Sequence, residues 1–119
     1  MLDDNPIIRR ILRTMLERDY VVDDFDDGAV LLEYLEENPC DLIVSDLCLP
    51  HMNGFDFIAE LKKNARLRRI PVMAYSACES KETCRRALAA GFTAFLEKPA
   101  PMAQLLSLIA ESLSPPACL

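Results

Sequence analysis

The sequence predicts an α/β domain built on a parallel sheet with helices on both faces. Three observations carry this. Short apolar runs alternate with stretches of helical period, as βα units require. Polar residues stand just past each apolar run, where an open parallel sheet gathers its chemistry. The 119 residues leave room for one domain, and 51% apolar with 27% charged residues is too hydrophobic for disorder.

The elements follow in order. Ile7, Ile8, Ile11, Leu12, Met15 and Leu16 recur at helical spacing behind Pro6, a residue suited to a first helical turn. Tyr20 to Val22 is a short β-prone run. Val30 to Leu35 lies in a second helix that ends at Asn38-Pro39, because the residue before proline avoids the helical region. Leu42-Ile43-Val44 reads as a strand buried on both faces. Asn53-Gly54 marks a turn before a helix carrying Phe55, Phe57, Ile58 and Leu61, and Ile70 to Tyr75 is another buried strand. Lys81 to Ala90 is helical and closes at Gly91. Ala94 to Leu96 is a short strand and Pro101 to Leu113 a last amphipathic helix; Ser114-Pro115-Pro116 breaks the pattern. The domain is expected over 1–113, with 114–119 a tail or the start of a linker. One element falls short: only Met1 and Leu2 precede Asp3, about five residues fewer than a full opening strand.

Charge narrows the function. Net charge is −6, with 15 acids and 4 bases in residues 1–60 against 4 acids and 9 bases in 61–119. Lys and Arg form no stripe beside stacking aromatics, so direct nucleic-acid binding is not expected. Asp23, Asp24, Asp26 and Asp27 read as a solvated acidic face. No apolar run approaches the roughly 18 residues of a membrane span, and a cytoplasmic domain is expected. Five cysteines (40, 48, 78, 84, 118) lack zinc-ligand spacing and read as reduced thiols.

The polar residues past the apolar runs are Asp3 and Asp4, Asp46, Ser76 and Lys98. Singly each is weak, since Asp at a strand end often caps a helix or forms a turn. All five in order, on different strands, point to one edge carrying three carboxylates, a hydroxyl and an ammonium. Clustered carboxylates repel unless some protonate or a cation is bound. An oxygen-only site suits Mg²⁺, after which one carboxylate can act as a nucleophile on phosphorus.

These residues resemble the receiver domains of two-component response regulators. Asp3-Asp4-Asn5-Pro6 is similar to the family's acidic pair, and Asp41 to Asp46 with Pro50 and Gly54 to its phosphoacceptor segment. Ile70 to Ala77 resembles its fourth strand, and Gly91 to Pro99 its fifth. The resemblance spans roughly residues 2–113. It implies a flavodoxin-like, doubly wound, five-stranded sheet of order 2-1-3-4-5, with strand 1 largely truncated here. It implies Asp46 as the phosphorylated residue, and Mg²⁺ held by Asp4, by Asp3 mostly through water, by Asp46 and by the backbone carbonyl of Cys48. Ser76 would follow the phosphoryl group, Lys98 would pair with its oxygens, and the Lys98–Pro99 bond would be cis. Phe95 stands where the family often has Tyr, so as a switch it gates by shape without a hydroxyl.

The implied function is that of a phosphoacceptor rather than an enzyme. Its partners would be a histidine kinase or histidine phosphotransfer protein and a downstream target on the helix 4–strand 5–helix 5 face, that is residues 81–113. Either a stand-alone regulator or a receiver cut from a larger protein fits. The alternative is a degenerate receiver acting as an interaction module without phosphorylation, because a short opening strand anchors the acid pair poorly. Two other classes fit less well. A flavodoxin-type cofactor binder needs a phosphate loop where Asp3-Asp4-Asn5-Pro6 stands, and a phosphoaspartate phosphatase needs an acid where Cys48 stands. Cys48 and Cys78 read as inert small residues, His51 as a solvated loop residue, and part of the Ile7, Ile8 and Leu12 surface as surplus to one core stripe. The missing strand length predicts that the neighbouring strands spread or take up a strand from another copy, and that the chain is marginal or aggregation-prone.

Overall fold

In the computed structural model, which describes residues 1–3, 5–18, 20–47, 52–76, 81–98 and 102–113, five helices alternate with three strands. They are α1 (Pro6–Leu16), α2 (Gly28–Glu37), β1 (Ile43–Ser45), α3 (Gly54–Lys63), β2 (Val72–Ser76), α4 (Lys81–Ala90), β3 (Ala94–Glu97) and α5 (Met102–Leu113). The strands form a parallel sheet in the order β1-β2-β3. Ile43 pairs with Val72, and Met73 with Ala94.

Local chemistry starts each helix. The Asn5 side chain caps α1 by accepting from the Ile7 and Ile8 N–H groups, with Pro6 in the first turn where its missing N–H costs nothing. Asp27 caps α2 and Asn53 caps α3 in the same way. Asn53-Gly54 is therefore a cap and a first helical residue, a tighter use than the expected turn. Gly91, at φ 116°, closes α4 in the left-handed region.

Alternation along the strands sorts the core into two layers. Ile43, Val72 and Ala74 pack with Leu31, Leu35, Phe57, Ile58 and Ala87, burying the inner sides of α2, α3 and α4. Val44, Met73, Tyr75 and Leu96 pack with Leu12, Leu16, Leu105 and Ile109 of α1 and α5. Helices cover both faces, as the continuous apolar runs require. On α1 the stripe divides: Leu12 and Leu16 are buried, whereas Ile7 and Ile11 are 68% and 47% exposed.

The opening residues behave differently from the expected spreading. Leu2 makes isolated parallel bridges to both Phe25 and Ser45. Its N–H donates to the Val44 carbonyl (2.7 Å) and its carbonyl accepts from the Asp46 N–H (2.9 Å). On the other side the Asp3 N–H donates to the Phe25 carbonyl and the Phe25 N–H to the Met1 carbonyl. Three residues thus hold the first strand's place between 23–25 and β1. With β1, β2 and β3 third to fifth, the order is 2-1-3-4-5. Because one residue on each side is too little for a regular strand, the first and second strand positions appear as bridges rather than as β-strands, and Tyr20 to Val22 is irregular.

A groove of about 450 Å³ lined by Met1, Tyr20, Val22, Asp41, Leu42 and Val44, among others, lies between 20–23 and 41–44. By the alternation of a ladder, the Leu42 carbonyl and Val44 N–H face it.

Candidate functional site

The site lies at the carboxyl edge of the sheet, where the chain leaves three neighbouring strand positions. Asp46 follows β1, Ser76 ends β2 and Lys98 follows β3. Asp3 follows the Leu2 bridge, so it arrives on the same edge. The backbone ladder fixes these ends: the Lys98 N–H donates to the Ser76 carbonyl (3.0 Å), and the Asp46 N–H to that of Leu2.

The side chains converge. The Ser76 hydroxyl donates to Oδ1 of Asp46 at 2.6 Å, and both residues are buried. The Lys98 ammonium donates to Oδ2 of Asp46 at 3.1 Å and to Oδ2 of Asp3 at 2.9 Å. Asp3 is only 3% exposed, and its Oδ1 accepts from the Asn5 N–H. Two buried carboxylates would repel strongly in so dry a place; one ammonium shared between them supplies part of the missing charge. Burial pulls the Lys98 pKa down, but the hydrogen bonds to Asp3 and Asp46 outweigh it, and the net direction is upward from 10.5. Lys98 is therefore an ammonium throughout the neutral range.

Four of the expected residues, Asp3, Asp46, Ser76 and Lys98, thus meet within hydrogen-bond reach. Asp4 and Cys48 lie outside the described residues, as do Cys78, His51 and the Lys98–Pro99 bond. Phe95 is half-buried against the α2–α4 side of the core. The donors that are described are hard oxygens on nearly buried carboxylates, which fits a small divalent cation such as Mg²⁺. Among the described residues no three metal-ligating side chains gather.

Three contributors were not visible as such in the sequence. Arg9 on α1 donates to the Asp3 carbonyl (2.7 Å) and pairs with Asp24 (3.3 Å), tying the acidic edge to the helix and to the 23–25 segment. Asp24 also pairs with Arg13, Asp23 accepts from the Tyr34 hydroxyl, and Asp27 is a cap. The acidic run therefore braces the structure rather than forming a merely solvated face. Gly54 is the second contributor. A Cβ there would stand 2.7 Å from the Asp46 carbonyl oxygen and 2.8 Å from the Leu47 Cα, so only glycine lets α3 approach the site backbone. The third is Tyr75, whose ring lies beside Lys98. Gly54 carried a turn signal and Tyr75 a strand signal; neither revealed the neighbour across the fold.

A parallel sheet thus brings a buried aspartate, a hydroxyl and a lysine together at its carboxyl edge. The family model of the response regulator receiver domain matches residues 1–110, and the chain belongs to that family. It is 37% identical over 97 residues to the two-component response regulator ORR3 of Oryza sativa subsp. indica, covering 81% of this chain and 72% of that protein. Its structure is similar to the receiver domain of a signal transduction histidine kinase from Syntrophus aciditrophicus, with TM-score 0.87, 27% identity, and 99% and 94% of the two chains covered. It is also similar to the chemotaxis protein CheY4 of Vibrio cholerae, with TM-score 0.85, 27% identity and 94% of each chain covered. Among the described residues no helix is long and apolar enough to cross a membrane.

Proposed function

We propose that Asp46 accepts a phosphoryl group from a phosphohistidine of a histidine kinase or histidine phosphotransfer protein. A carboxylate oxygen of Asp46 attacks phosphorus, the P–N bond breaks, the imidazole leaves, and an acyl phosphate remains on Asp46. The observation that carries this reading is the buried Asp46 carboxylate with Ser76 on one oxygen and Lys98 on the other. Those two donors stand beside the carboxylate that would carry the group, from which they would turn to the oxygens of the transferred group. Asp3 and Asp46, together with Asp4 and the Cys48 carbonyl as the family resemblance implies, would hold Mg²⁺. The ion supplies positive charge against the oxygens of the transferred group.

Ser76 then follows the phosphoryl oxygens and leaves room on its own strand end, and Phe95, on the neighbouring strand, changes its packing. The signal leaves through α4, β3 and α5 in the cytoplasm, where Leu88 of α4 is half exposed. The alternative, an interaction module without phosphorylation, needs a loosely held acid pair. The burial of Asp3 and its bonds to Phe25, Asn5, Arg9 and Lys98 favour the phosphoacceptor reading.

Intact-mass measurement after acetyl phosphate and Mg²⁺ tests the proposal. A single phosphate adduct is expected on the wild-type chain and none on Asp46→Asn. An equal adduct on Asp46→Asn would sink the assignment.

A further inference from the structure

Lys98 has a third neighbour besides the two carboxylates. Its Nζ lies 5.2 Å from the centroid of the Tyr75 ring, within the range of a cation–π contact. Tyr75 is 6% exposed and fixed among Leu12, Leu16, Leu96 and Leu105 in the layer between the sheet, α1 and α5. The register explains the contact. Tyr75 pairs with Leu96 across the β2–β3 ladder, and Lys98, two residues beyond Leu96, projects to the same face. Any apolar side chain would fill this core position, but an aliphatic one offers a cation no attraction.

The ring differs from the carboxylates in one respect that matters. Asp3 and Asp46 change their effective charge when a cation is bound or a phosphoryl group arrives, and with it their hold on Lys98. The ring's quadrupole does not change. We infer that Tyr75 is a positioning residue whose ring face holds the Lys98 ammonium at the Asp3–Asp46 edge through every charge state of the site. The inference rests on the reading of Asp46 as phosphoacceptor.

The test uses the full chain with Tyr75→Phe, which keeps the ring, and Tyr75→Leu and Tyr75→Met, which remove it at similar bulk. The first readout is the Lys98 ε-methylene proton resonance. A ring beneath it shifts the signal upfield in wild type and Tyr75→Phe, and the shift is lost in the two aliphatic variants. The second is phosphorylation by acetyl phosphate at saturating Mg²⁺. Tyr75→Phe keeps the wild-type maximal rate, and the aliphatic variants lower it roughly two- to fivefold with the half-saturating donor concentration unchanged. A wild-type Lys98 resonance without the upfield shift overturns the inference, and so does a folded Tyr75→Met chain that phosphorylates at the wild-type maximal rate, as a purely structural ring would allow. So does a Tyr75→Phe chain as slow as Tyr75→Leu, since the hydroxyl would then be the active part. A wild-type chain that takes no phosphoryl group overturns the function proposed above instead; the Lys98 resonance still decides the ring contact, which needs no phosphoryl transfer.

Discussion

Lys98 is the residue on which the charge balance of the site turns. It joins Asp3 and Asp46, whose side chains are 4% and 11% exposed, so removing it leaves two facing carboxylates with less compensation. Lys98→Ala should cost about 1–3 kcal/mol of stability, the usual penalty for stripping a partner from a buried charged group. A divalent cation that binds only the native state should return part of it. Thermal melts with and without millimolar Mg²⁺ check this: the rise in Tm should be larger in Lys98→Ala than in wild type. The pH dependence has a definite sign. Because the native pKa of Lys98 is raised, the stability from its pairing is complete below the unfolded lysine value near 10.4. It is lost only as pH rises through the higher native value. The difference in unfolding free energy between wild type and Lys98→Met should therefore stay constant from about pH 7 to 9.

At the scale of elements, the site depends on how closely α3 and α1 approach it. Gly54 starts α3 against the backbone of Asp46 and Leu47, and its N–H donates to the Leu47 carbonyl at 2.8 Å. A methyl group would meet backbone, which cannot swing aside as a side chain can. Gly54→Ala should destabilise the chain by about 1–3 kcal/mol through overpacking and slow phosphorylation by displacing Asp46. Equal phosphorylation and an unchanged melt would contradict that packing. On the other side, Arg9 links α1 to the Asp3 carbonyl. Arg9→Met keeps much of the stem while removing the hydrogen bond and the Asp24 pair. It should weaken the Mg²⁺-dependent rise in Tm more than it lowers the melt in metal-free buffer. The acid pair was expected to be poorly anchored behind so short an opening strand; Asp3 is held instead by α1 and the 23–25 segment.

The whole molecule shows where the short opening strand matters. Leu2 is fully buried and bridged to both Phe25 and Ser45, so the sheet is closed next to the site. The groove between 20–23 and 41–44 lies toward the opposite end of the sheet. Adding four or five β-branched residues ahead of Met1 should fill that groove, pair with the Leu42 carbonyl and Val44 N–H, and bury one or two large side chains. At about 1.5–3 kcal/mol each, the gain should raise Tm by on the order of 10 °C. Differential scanning calorimetry of the extended and original chains checks it. An extended chain that melts where the original does would show the groove already adequately closed.

The sequence by itself determined the element order and the positions of Asp3, Asp46, Ser76 and Lys98 at strand ends. These depend on local signals: apolar period, caps such as Asn5, and breakers such as Pro39 and Gly91. The parallel sheet followed from continuous apolar runs separated by helices of matching length. Tertiary structure alone decided which residues support the site. Arg9 reaching the Asp3 carbonyl, Gly54 against the Asp46 backbone, and Tyr75 beneath Lys98 each join parts of the chain that local patterning cannot relate. It also decided that three residues can hold the place of a strand. Pairing depends on distances to Phe25 and Val44, which are set only when the whole sheet assembles.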